Sequence, residues 1–139
     1  MTKTLLAALA VMATAAPALA AGDAAKGEAE FRKCKACHAI VAPDGTEVQK
    51  GGKTGPNLYG VIGRAVAGDA GYSAYGESIL AAGAAGKVWD EASLAAYVAN
   101  PAEWLKEATG DAAAKSKMSF KLAKGGADVA AYLASVAAQ

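Results

Sequence analysis

Metal-binding side chains are scarce in this sequence, which holds one histidine (His38), two cysteines (Cys34 and Cys37) and three methionines, two of them in the first dozen residues. A structural zinc site takes four ligands, and two cysteines with one histidine cannot complete a Cys/His set; adjacent Cys37 and His38 are also badly placed to share one metal. A disulfide between Cys34 and Cys37 would close a very short loop and stabilise little. A thioredoxin-like dithiol belongs to a βαβ pattern, and strand signals are nearly absent here. Aromatic residues are only 6% of the chain, so much of its apolar fraction is alanine and glycine. Small side chains bury little area at about 25 cal/mol per Å², and a bulky apolar cofactor at the centre would supply the missing core.

A long hydrophobic run is missing too. The apolar stretch Leu5 to Ala16 is well short of the roughly 20 residues of a spanning helix. Lys3 before it, then Pro17 and Ala18-Leu19-Ala20, give the order of a bacterial secretory signal over residues 1–20, cleaved after Ala20 or Ala21. The mature protein is therefore expected in the periplasm, without a spanning helix. Removing Lys3 leaves 13 of the 14 basic groups against 13 acidic ones, a balance that calls for no nucleic-acid partner. Just under 120 residues remain, one domain over 21–139.

That domain reads as short helices joined by glycine-rich loops, an all-α class. Asp23 caps a first helix that runs to about Lys33, with Gly27 and Phe31 on one face. Residues 39–64 are rich in glycine and proline and read as loop. A second helix is expected around Tyr75 to Ala82. Asp90 caps a third, with Leu94, Tyr97 and Val98 on one face, ended by Pro101. Asn100, Pro101 and Glu103 open a fourth with a capping side chain and a proline at its first position. From Ala127 the stripe Val129, Tyr132, Leu133 and Val136 marks the last.

Cys34-Lys35-Ala36-Cys37-His38 is the attachment pattern for a c-type haem. Two thiols one turn apart can add to the two vinyl groups on one porphyrin edge, and His38 then offers its imidazole to the iron. With one histidine, a second imidazole ligand cannot come from this chain. Met118 is the only methionine past the signal and lies in the lysine-rich Lys117-Met118-Ser119-Phe120-Lys121. It is the expected sixth ligand, with a lysine or water as the alternatives and core filling as the plainer role for a lone methionine. His/Met ligation raises the reduction potential. Burial acts in the same direction, since a low-dielectric pocket disfavours the more charged ferric state. With both axial positions filled, what remains is one-electron transfer through the haem edge.

These residues, with Gly22-Asp23-Ala24-Ala25-Lys26-Gly27, Lys53-Thr54-Gly55-Pro56-Asn57-Leu58-Tyr59-Gly60, Gly63-Arg64 and Phe120-Lys121-Leu122-Ala123-Lys124-Gly125, make the chain resemble the class I cytochromes c, most nearly the bacterial periplasmic cytochrome c2 group. The resemblance spans essentially the whole mature chain and implies the cytochrome c fold around one covalently attached haem c. It implies that the Pro56 carbonyl accepts the free N–H of the axial imidazole. Trp89 then hydrogen-bonds a haem propionate, Arg64 helps neutralise it, and Tyr97 lies near the axial methionine; ordinary packing is the plainer role for Trp89 and Tyr97. Tyr72 or Tyr75 also reaches a propionate, without a choice between them. Gly27 and Phe31 are implied to meet the last helix. The segments Tyr72 to Gly86 and Lys106 to Lys115 are longer than in mitochondrial members.

Lys33, Lys35, Lys50 and Lys53 lie near the attachment motif, and Lys115, Lys117, Lys121 and Lys124 lie in a stretch with no acid from Ala112 to Ala127. Around a haem edge these would steer a monomeric carrier onto acidic partners. The resemblance implies membrane-bound partners, a cytochrome bc complex as donor and a photosynthetic reaction centre or terminal oxidase as acceptor. The rival from another class is a haem enzyme or gas-binding sensor with a labile sixth ligand. It lacks support from any second histidine near Met118. A third is a binding module in which haem only stabilises the fold.

Overall fold

The structure, a computed structural model, describes residues 21–137; the expected secretory signal, residues 1–20, lies outside them. Five helices dominate. Helix α1 spans Ala24–Phe31, and the Asp23 side chain accepts from the N–H groups of Ala25 and Lys26, satisfying two donors that the first turn leaves free. The helix stops two residues sooner than expected, because the chain tightens into i→i−3 turns: Lys33 N donates to Glu30 O and Cys34 N to Phe31 O. Helix α2 spans Glu77–Ala84, shifted two residues from the expected 75–82, since Tyr75 folds back to accept from Asp69 N.

Helix α3 spans Glu91–Ala99 and opens on a reciprocal capping box between Asp90 and Ser93. Helix α4 spans Pro101–Thr109, with Pro101 at its first position and Gly110, at φ 70°, ending it. Asn100 stands at the expected N-cap, but its side chain does not cap. Its backbone serves both helices, the N–H bonding Ala96 O and the carbonyl accepting from Trp104 N, while Oδ1 is buried without a hydrogen-bond partner. Helix α5 spans Gly126–Val136.

The expected loop over 39–64 holds one departure from an all-helical chain. Strands β1 (Ile40–Val41) and β2 (Glu47–Gln49) pair antiparallel, with a bulge between Ile40 and Val41. Two and three residues are too few for an alternating pattern to be legible. A second, single bridge joins Ala65 to Val88.

Helix α1 crosses α5, and α3 packs against α5 as well. The first crossing is close: a Cβ added at Gly27 would lie 1.9 Å from the carbonyl oxygen of Asp128 in α5. Phe31 is fully buried there with its ring 5.9 Å from that of Tyr132, and Val129 and Leu133 fill the seam. The expected meeting of Gly27 and Phe31 with the last helix is what the structure contains. The attachment motif hangs from the C-terminal end of α1, so this helix pair anchors it.

Candidate functional site

The turn that carries the motif is held by its own backbone. Cys37 N and His38 N both donate to Cys34 O, which winds the segment from Cys34 to His38 into a single turn. Burial, the largest influence, pushes the Cys34 thiol up to about 11. A thiol held that far from ionisation is a poor exchange nucleophile, which counts against a redox dithiol.

His38 Nδ1 lies 2.8 Å from Pro56 O. A carbonyl only accepts, so Nδ1 carries the proton and the Nε2 lone pair is left for a metal. Burial, opposed by this hydrogen bond, holds the imidazolium below its ordinary range, so the ring is neutral when it must donate. The loop that presents Pro56 is packed hard against the motif. A Cβ on Gly55 would fall 2.3 Å from His38 Cε1, and Gly55 N donates to Cys37 O.

A cavity of about 290 Å³ opens beside this ring, and all eight residues singled out from the sequence line it: Cys34, Cys37, His38, Pro56, Arg64, Trp89, Tyr97 and Met118. Met118 is half-buried on a segment tied to the start of α2: Lys117 Nζ donates to Ala74 O and Lys115 N to Ser78 Oγ. Met118 N donates to Ser116 Oγ within the segment. Arg64 and Trp89 are locked together, Trp89 N donating to Arg64 O and Gly63 N to Trp89 O beside the Ala65–Val88 bridge. The Arg64 guanidinium is held on the carbonyls of Asn57 (2.8 Å) and Tyr59 (3.3 Å).

The two tyrosines left undecided also line the cavity, edge to face at 4.8 Å, and their hydroxyls differ. Tyr72 donates its proton to Thr54 O, whereas Tyr75 accepts from Asp69 N and keeps its proton free. Burial, the largest cause, raises the Tyr75 pKa, so the hydroxyl stays protonated.

Two residues went unrecognised as structural centres in the sequence. Trp104 stacks on Trp89 at 4.9 Å and meets Tyr97 edge-on at 5.5 Å, completing an aromatic cluster behind the cavity wall. Its signal was the tryptophan itself, rare in this chain. Asn57 joins four segments: Oδ1 accepts from Val41 N and Tyr59 N, Nδ2 donates to Val41 O, its N–H goes to Asp69, and its carbonyl to Arg64. Nothing in the pattern of the sequence singles it out.

The donors fit a c-type haem. One neutral imidazole with a free Nε2, one thioether and two cysteines share an apolar-walled cavity, and Gly55 keeps the imidazole face clear of a side chain.

The relatives are consistent with this. The cytochrome c2 of Rhodobacter capsulatus is 61% identical over 128 residues, covering 92% of each chain. The cytochrome c-550 of Paracoccus versutus is 58% identical, over 91% of this chain and 83% of its own. Among solved structures, the Rhodobacter capsulatus cytochrome c2 superposes with a TM-score of 0.81 over 83% of this chain and 98% of its own. The Paracoccus denitrificans cytochrome c2 does so with the same score at 55% identity, over 84% and 98%. No family model matches the chain. With the attachment motif, the helical frame and this likeness over most of its length, the chain belongs to the cytochrome c2 and c-550 group of class I cytochromes c, electron carriers with one covalently bound haem c.

Proposed function

We propose that this protein is a soluble, monomeric periplasmic shuttle that carries single electrons between membrane-bound redox complexes. The observation that carries the reading is the hydrogen bond from His38 Nδ1 to Pro56 O, which leaves Nε2 available in the cavity that Met118 also lines. His38 Nε2 and Met118 Sδ are the axial ligands, and Cys34 and Cys37 form the two thioethers. The haem, when bound, supplies a reversible one-electron couple. Trp89 and Tyr75 donate to the propionates, Arg64 offsets their charge, and Tyr97 lies beside Met118. With both axial positions occupied by side chains, the protein is a carrier rather than an enzyme.

Residues 1–20 are a secretory signal. Just past it, Gly22 packs against the backbone of Ala127, and Asp23 caps α1 and donates its N–H to Asp128 Oδ1. Cleavage after Ala20 or Ala21 leaves all of these contacts intact. Among the described residues no helix is long and apolar enough to cross a membrane. The donor is a membrane-bound cytochrome bc complex, and the acceptor a photosynthetic reaction centre or a terminal oxidase. Docking is steered by Lys33, Lys35, Lys50, Lys53, Lys115, Lys117, Lys121 and Lys124, of which Lys33 and Lys50 also make exposed ion pairs with Glu30 and Glu47.

The test is the optical spectrum of the haem-loaded protein in both redox states. A weak near-infrared sulfur-to-iron band in the ferric form, with no response of the ferrous form to carbon monoxide, is the expected result. Absence of the band with ready carbon monoxide binding would replace the carrier by an open-site enzyme or sensor.

A further inference from the structure

Pro56 and Asn57 share one peptide group, and both of its polar ends are taken. Its oxygen accepts the Nδ1–H of His38 at 2.8 Å, and its nitrogen donates to Asp69 Oδ2 at 2.9 Å. One planar amide therefore stands between an imidazole and a carboxylate. The amide is conjugated, so an anion drawing on the N–H end moves electron density toward the carbonyl oxygen. Hydrogen bonds in series polarise one another, by about 10–30% per bond. A more basic oxygen pulls harder on the Nδ1 proton and leaves the ring a stronger donor at Nε2.

Resting on the reading of His38 as the axial ligand, we propose that Asp69 is a positioning residue for that imidazole. It acts through the Pro56–Asn57 peptide to strengthen donation from Nε2 and favour the oxidised state. The geometry is held from several sides. Asp69 Oδ1 accepts from Gly71 N at 3.0 Å, which fixes the carboxylate, and Asp69 N donates to the hydroxyl of Tyr75 in the cavity wall. The Asn57 side chain is bonded to Val41 and Tyr59, so the peptide cannot turn away. The ion pairs among the described residues do not involve Asp69, so no cation within salt-bridge distance cancels its charge. Asp69 lies in the segment between Arg64 and α2 and is half-buried.

The test compares haem-loaded wild type with Asp69→Asn and Asp69→Ser, both of which remove the charge, and with Asp44→Asn. Asp44 is an exposed carboxylate at the hairpin tip that accepts from Thr46 N, and serves as a control for charge acting through space. Midpoint potential is read together with the NMR shift and solvent exchange of the His38 Nδ1 proton in the ferrous protein. Both Asp69 variants are expected to move the redox equilibrium toward the reduced form by roughly three- to tenfold, tenfold being about 59 mV for one electron. Their Nδ1 proton is expected to move upfield and exchange faster, with Asp44→Asn unchanged in both. An Nδ1 proton that does not move in the Asp69 variants, or an equal shift of potential in Asp44→Asn, overturns the proposal. If the His38 ring protons of ferrous wild type lack the large upfield ring-current shift of a haem-bound imidazole, the axial assignment itself fails before any variant is measured.

Discussion

Single atoms decide the chemistry at His38. Gly55 stands where no side chain can, because its Cβ would lie 2.3 Å from His38 Cε1. Gly55→Ala is therefore expected to tilt the ring off Pro56 O, and the visible spectrum of the haem-loaded protein should show a mixture of ligation states where wild type shows one. Met118→Ala is expected to keep the haem attached but to lower the midpoint potential by well over the ~59 mV of a tenfold change, and to open the iron to added imidazole. An unchanged potential would remove Met118 from the iron. The residues proposed as ligands were legible in the sequence because their chemistry lies in residue type and spacing: one Cys-x-x-Cys-His, one histidine, one methionine past residue 20. The supports of that imidazole were not legible in the same way. Pro56 entered through resemblance alone, and the parts of Asn57 and Asp69 exist only because tertiary folding brings residues 12 and 18 positions apart into hydrogen-bond distance. Ala67 was equally invisible, an alanine at φ 58° in the cavity wall. Ala67→Gly should raise unfolding stability by about 1 kcal/mol in denaturant titration, the cost of a left-handed backbone for a residue with a Cβ.

At the level of helices, the crossing of α1 and α5 tolerates no growth at its centre. In Gly27→Ala the new methyl meets the Asp128 carbonyl, which is backbone and cannot swing aside. A loss of about 2–3 kcal/mol is expected, measured as a lower denaturation midpoint of the haem-loaded protein. The carboxylate caps set an acid limit on the fold. Hydrogen bonding from Ser93 holds the Asp90 carboxyl below its usual range, so the folded chain binds its proton more weakly than the unfolded chain. That contribution is complete above the ordinary carboxylate pKa near 4 and fades as pH falls through the lower folded value. Asp90→Ser keeps a capping oxygen without the titration and should flatten the acid limb of a stability-against-pH curve. Helix order and caps were readable from Asp23, Asp90, Pro101 and the Val129–Val136 stripe. The hairpin at Ile40 and Glu47 was not, since strands this short have no period of their own. Asn100 misled for another reason: the backbone of one residue closes α3 and opens α4, a constraint that residue preference does not express.

Across the whole molecule the charges nearly cancel, so recognition depends on where they stand. Lys121→Glu with Lys124→Glu is expected to slow association with an acidic redox partner and reduce its salt dependence, read by stopped-flow at several ionic strengths. The distance along the chain between α1 and α5 has a consequence for assembly. The face of α1 around Gly27 and Phe31 has its partner in the last helix, about a hundred residues downstream. In a chain that emerges N-terminus first, the Cys34–His38 turn is therefore delivered long before the element that will clamp it. Covalent attachment gets an interval in which its substrate is still pliable, and arrival of α5 closes that interval. A circular permutant that delivers α5 ahead of α1 should shorten the interval and lower the fraction of the protein that acquires haem.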